Sequence, residues 1–178
     1  FDYIIADHIL IPENLKQFYS EKIIYMPNSY QPNDNKIEIP NFDSKRSDHG
    51  LPDKGIVFCC FNQNYKIGKN EFNIWMRALD KIDNSVLWLM EPNKWAKVNI
   101  CKQAELNNVN PSRIIFAKNL THLEHLERHT HADLFLDTFN YNAHTTASDS
   151  LWSGIPIVTK RGNQFAARVT SSLLSALD

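Results

Sequence analysis

From Gly55 onward, five short apolar runs alternate with stretches of helical periodicity, and this alternation constrains the fold more than any other feature of the chain. GIVFCCF (55–61) and SVLWLM (85–90) read as buried strands, and RIIFA (113–117), DLFLD (133–137) and IPIVT (155–159) as a third, fourth and fifth strand. Between the first two, 70–82 carries Phe72, Trp75, Met76, Leu79 and Ile82 at helical spacing. Weaker helical patterns cover 95–106, 121–131, 145–152 and 165–177. Strands and helices in this order predict an α/β fold with a doubly wound parallel sheet. A ligand of such a sheet sits beyond the carboxyl ends of its strands, so the loops 62–69, 91–94, 118–125 and 138–146 matter most.

Upstream the pattern differs. YIIA (3–6) and KIIYM (22–26) are short β-rich runs, with one or two helical turns expected at 12–18 and Pro12 in an allowed first-turn position. The stretch 33–55 is polar, rich in Asp, Asn, Pro and Lys, and reads as a linker or long loop. The expected organisation is therefore 1–32 as the end of one unit, 33–54 as a linker and 55–178 as the regular domain. A chain that opens on Phe1 and ends in a helical pattern without a stop signal reads as a piece of something longer.

A net charge of -1 gives no global attraction to nucleic acid or an anionic membrane, so an anion site must be local. No apolar run approaches the roughly 18 residues of a membrane span, and no signal-peptide pattern is present. Cys59, Cys60 and Cys101 make no disulfide framework. That favours a reducing compartment, and the expected location is cytoplasmic. Gly-x-Gly-x-x-Gly and Gly-Lys-Ser/Thr motifs are absent, which argues against a conventional dinucleotide or P-loop site.

Three constellations could carry chemistry. In NAHTTASDSLWSGIPIVTK (142–160), His144 or Thr145 would cap a helix whose amides attract anions. Thr145 and Thr146 could donate to phosphate oxygens, His144 could add a further hydrogen bond, and Asp149 could accept from a vicinal diol such as a ribose. The same residues would also serve as an ordinary threonine cap with an aspartate near the dipole. Lys66, with Gln63 beside it, could reach a diphosphate from the end of the first buried strand, or be a solvated loop lysine. In THLEHLERHTH (121–131), His125 and Arg128 share a helix face, with His125 nearest the strand's mouth. His125 and His129 are four apart, a spacing that can chelate zinc, but the remaining ligands of a zinc pattern are missing. No carboxylate pair, Gly-x-Ser-x-Gly elbow or Cys/His arrangement suggests a catalytic base.

Taken together, FNQNYKI, RIIFA with the histidine helix after it, and HTTASDSLWSGIPIVT resemble the C-terminal catalytic region of the O-linked N-acetylglucosamine (O-GlcNAc) transferases. DYIIAD, YSEKIIYMPNSY and SVLWLM are similar to the same family, so the likeness covers nearly all of the chain except 33–55. The resemblance implies a GT-B architecture of two Rossmann-like domains, with this chain supplying the C-terminal donor-binding domain and a remnant of the N-terminal half. It implies inverting, metal-independent transfer of a sugar from UDP-GlcNAc to Ser or Thr hydroxyls of proteins, with no cofactor. It implies that Gln63 and Lys66 contact the diphosphate, with Lys66 as the main stabiliser of leaving-group charge. His125 and Arg128 would lie by the uracil, His144, Thr145 and Thr146 would bind phosphate, and Asp149 the ribose. His122 stands where the family usually has a nucleotide-contacting lysine. The family's tetratricopeptide repeats and most of its N-terminal catalytic half lie outside this chain, which is then expected to be inactive alone. The short linker suits a bacterial-type member. A GDP-fucose-dependent protein O-fucosyltransferase and a non-catalytic nucleotide-sugar-binding module are the alternatives.

Overall fold

A computed structural model describes residues 1–40 and 42–177. The apolar runs become five parallel strands: β3 (Val57–Cys60), β4 (Val86–Met90), β5 (Ile114–Ala117), β6 (Leu134–Leu136) and β7 (Ile157–Val158). Their spatial order is β5-β4-β3-β6-β7. The sheet is entered at its centre, fills one side through β4 and β5, and then crosses back to place β6 and β7 on the other. Connections after β3 and β6 therefore diverge, and the junction between these two strands is the switch point where such sheets bind ligands. Val57, Phe58, Cys59 and Cys60 are all buried, as are Leu87, Trp88 and Leu89 beside them, which explains the continuous apolar runs.

The connections are α1 (Lys69–Lys81), α2 (Lys94–Leu106), α3 (His122–His129) and α4 (Thr145–Trp152), with α5 (Val169–Ser175) following β7. Asn93 caps α2 by accepting from the amides of Trp95 and Ala96. Thr121 and Glu124 form a reciprocal capping box on α3. The helix expected over 121–131 is thus shorter at both ends.

Two further expectations change. IPIVT pairs as a strand only at Ile157 and Val158, because Pro156 has no N–H and contributes its carbonyl alone, to Phe135. The helix expected over 165–177 is broken into a 3-10 turn (Phe165–Ala167) and α5. Arg168 stands at the break, its Nε donating to the Ile9 carbonyl at 2.6 Å and its Nη1 to Gly162 at 2.8 Å.

The first segment forms a separate two-stranded parallel sheet, β1 (Tyr3–Ala6) with β2 (Lys22–Tyr25), joined through a 3-10 turn over Glu13–Phe18. It is fastened to the rest by the buried Asp7 carboxylate, which accepts from the amides of Ile9, Leu10 and Tyr30 and from Ser172 Oγ at 2.6 Å. The stretch expected as a linker contains a 3-10 turn at Arg46–His49 and is pinned by side chains. Trp152 Nε1 donates to the Ile37 carbonyl, while Arg46 reaches the carbonyls of His131 and Gly55 and the Asp133 carboxylate. Among the described residues, no helix is long and apolar enough to cross a membrane.

Candidate functional site

The switch point is organised by one buried carboxylate. Asp137, at the end of β6, is buried and accepts from Asn62 Nδ2, the amides of Thr138 and Ala143, and Thr159 Oγ1. Burial raises its carboxyl above the usual value, and hydrogen bonds from Thr159, Thr170, Ala143 and Thr138 oppose that shift. One carboxylate thus ties the loop after β3 to the loop after β6. Asn142 closes the second loop by donating from Nδ2 to the Thr138 carbonyl at 2.7 Å. The available signal was positional: Asn62 and the run DTFN (137–140) each directly follow a buried strand.

On this frame Lys66 places its ammonium 4.0 Å from the centroid of the Tyr141 ring. Tyr141 in turn stacks on His144, with centroids 4.9 Å apart. Burial lowers the Lys66 pKa, with Asp137 pulling it back up. His144 is also lowered by burial; the Ala166 carbonyl opposes this and Lys66 adds to it, so the imidazole is neutral at pH 7. Gln63 lies exposed at the start of the same turn.

His144 takes the N-cap position of α4, and no side chain caps this helix. Thr145 and Thr146 therefore keep their hydroxyls out of capping, unlike Thr121 and Asn93 at the neighbouring helices. An uncapped N-terminus beside a lysine, with two hydroxyls in its first turn, is a place where an anion can bind without displacing a protein group. The plain threonine cap is not what forms.

One turn further, Asp149 lies 3.4 Å from His122 Nε2, and only the histidine is open to solvent, at 53% against 16% for the aspartate. Burial raises the Asp149 pKa, and His122 opposes that shift. Both residues, with Thr145, line a cavity of about 460 Å³ whose other walls include Gln31, Trp152 and Leu173.

His125 and Arg128 come together, but not as equals. Arg128 is 1% exposed, with its guanidinium spent on His125 Nδ1, the Lys118 carbonyl and Met90 Sδ, and it lies over the Phe61 ring. It orients His125 through the bond to Nδ1. Burial, with His129 and Arg128 adding to it, lowers His125 to about 2, so the ring is neutral. Because Arg128 donates to Nδ1, the ring's own proton sits on Nε2 as a donor. The rings of His125 and His129 meet edge to face, and His129 Nδ1 is turned to the His125 carbonyl.

The structure thus links Lys66 to His144 through Tyr141 and gathers Thr145, Asp149 and His122 on one cavity. The family model described as "Glycosyl transferase family 41" matches residues 42–178. The chain belongs to this family. An Arabidopsis thaliana family relative, named a probable UDP-N-acetylglucosamine-peptide N-acetylglucosaminyltransferase SEC, is 37% identical over 98% of this chain. A Caenorhabditis elegans protein named for the same transferase is 40% identical over 79% of it. The chain spans 18% and 12% of these two relatives.

A mutant of the Thermobaculum terrenum O-GlcNAc transferase superposes with a TM-score of 0.82 at 25% identity, covering 98% of this chain and 33% of that one. The lipopolysaccharide glycosyltransferase WaaG shares the fold, at a TM-score of 0.64 and 16% identity over 97% of this chain and 46% of that one. The family 41 chain therefore has the GT-B type of architecture.

Proposed function

We propose that this chain is the donor-binding part of an inverting, metal-independent glycosyltransferase that moves N-acetylglucosamine from UDP-GlcNAc to Ser or Thr hydroxyls of proteins. The observation that carries the proposal is the uncapped N-terminus of α4 beside the half-buried Lys66, reached through Tyr141 and His144. In the reaction, the bond between the sugar's anomeric carbon and the UDP oxygen breaks, and negative charge grows on the diphosphate. Lys66, the α4 amides, Thr145, Thr146 and Gln63 meet that charge with fixed donors, which is the work a divalent cation performs elsewhere. Asp149 accepts from the ribose hydroxyls with His122 beside it, and His125, held by Arg128, offers Nε2–H to the base. The acceptor side belongs to the longer parent protein, so the isolated chain binds donor but turns over little.

Lys66→Ala in the parent protein tests the central role. Loss of transition-state stabilisation predicts a fall in kcat of roughly 100-fold or more, with a much smaller change in donor affinity. Equal, small losses in both would instead identify a nucleotide-sugar-binding module without catalysis. Thermal shifts separate the donors: UDP should raise the unfolding midpoint more than GDP, and the reverse order would favour a GDP-sugar.

A further inference from the structure

On the far end of α3 from the donor site lies a group of side chains that the glycosyltransferase chemistry does not use. His49, Glu127 and His131 each offer one ligand atom, and these atoms all lie within 4.8 Å of one another. Glu127 and His131 are one turn apart on and just beyond α3, with Oε1 and Nε2 separated by 3.8 Å. His49 comes from the 3-10 turn of the preceding segment, its ring 5.1 Å from that of His131 and 5.2 Å from that of Trp88. We propose that His49, Glu127 and His131 form a zinc(II) site that locks the 44–51 segment onto the end of α3.

Two observations point to a cation. His49 Nε2 is a buried nitrogen with no hydrogen-bond partner, an arrangement that costs free energy unless something else occupies the lone pair. The Glu127 carboxylate is nearly buried and, among the described residues, meets only the Ser44 hydroxyl at 2.6 Å and His131. A buried carboxylate without a cation is unfavourable, and two imidazoles with one carboxylate form a donor set that zinc accepts. Bond lengths of about 2.0–2.2 Å put tetrahedral ligand atoms roughly 3.4 Å apart, so a small contraction from the observed spacing closes the site.

The surroundings are already fixed. Ser44 Oγ donates to Glu127 Oε1 at 2.6 Å and holds the carboxylate in place, while its 2.6 Å contact with His131 Nε2 is the one that zinc replaces. Arg46 fastens the same segment to the His131 carbonyl at 3.0 Å and to the Asp133 carboxylate at 2.9 Å. Ligand-bearing elements are therefore held together before any ion arrives, which lowers the ordering cost of binding. This site has no residue in common with the donor site.

The test uses the whole chain, stripped with a chelator and dialysed against zinc. One equivalent of zinc should remain by elemental analysis, the unfolding midpoint should rise with zinc, and cobalt in its place should give the visible absorption of a tetrahedral N/O site. His49→Gln and His131→Gln should each lose the bound equivalent and the zinc-dependent midpoint shift. Ser44→Ala should weaken zinc by about 10-fold, as loss of an outer hydrogen bond does. The metal-free midpoints of variants and parent are compared directly, so that a folding defect is read apart from lost binding. No retained zinc in the parent chain, or equal retention by the folded double variant His49→Gln/His131→Gln, would overturn the proposal.

Discussion

At the scale of single residues, the site works by withholding ordinary partners. Among the described residues, Lys66 has an aromatic face and a distant carboxylate for company, not a salt bridge, and α4 has no capping side chain. His144 shows what this implies for pH. In the free protein burial holds its pKa below the usual 6.5, so it is neutral at pH 7. A bound diphosphate favours the charged form and raises that pKa. Binding must then take up a proton, and affinity for UDP should increase as pH falls through the interval between the two values. Calorimetry in two buffers of different ionisation enthalpy measures the uptake. His144→Asn should reduce it to the share owed to UDP alone; an unchanged uptake would exclude His144 from the phosphate contacts.

At the scale of elements, the fold depends on close turns between strands and helices. Gly55, just before β3, has φ +113°, and a Cβ there would sit 1.8 Å from the Asn84 carbonyl oxygen. Gly55→Ala should destabilise the chain by at least about 2 kcal/mol, from backbone strain together with that clash, as a lowered urea midpoint. The elements themselves were mostly readable. The helix expected over 145–152 forms over that span, and the apolar runs at 55–61 and 85–90 contain strands because their surroundings are dry on both sides. What could not be read was set by partners distant in sequence. Arg168 breaks the last helix by reaching Ile9, and the pairing of β3 with β6 rather than β5 creates the crevice. The positions of Gln63, Lys66, His144, Thr145, Thr146 and Asp149, after strands or at the opening of a helix, were readable in the sequence. The contacts that Tyr141 and Asp137 make across that crevice were not. Helical spacing put His125 beside His129, whereas the meeting of His131 with His49, from 82 positions away in sequence, could not be read.

At the scale of the molecule, the first segment and the large sheet share one buried anchor. The Asp7 carboxylate serves three amides and the Ser172 hydroxyl at once. Asp7→Ala leaves these buried or half-buried donors without an acceptor and should cost about 3 kcal/mol, with Asp7→Asn restoring part of it. A loss under about 0.5 kcal/mol in chemical denaturation would show that the two parts are held elsewhere. Gln31 of the first segment and Leu173 of α5 also wall the cavity that holds Asp149, so this anchor bears on the ribose end of the site. The proposed function requires the mouth between β3 and β6 to hold a nucleoside diphosphate. Isothermal titration of this chain with UDP tests it most directly. The expected result is one site per chain, with affinity reduced at least about 10-fold, or roughly 1.4 kcal/mol, in Lys66→Ala. No binding up to roughly millimolar UDP, or equal binding by the Lys66→Ala chain, would contradict it.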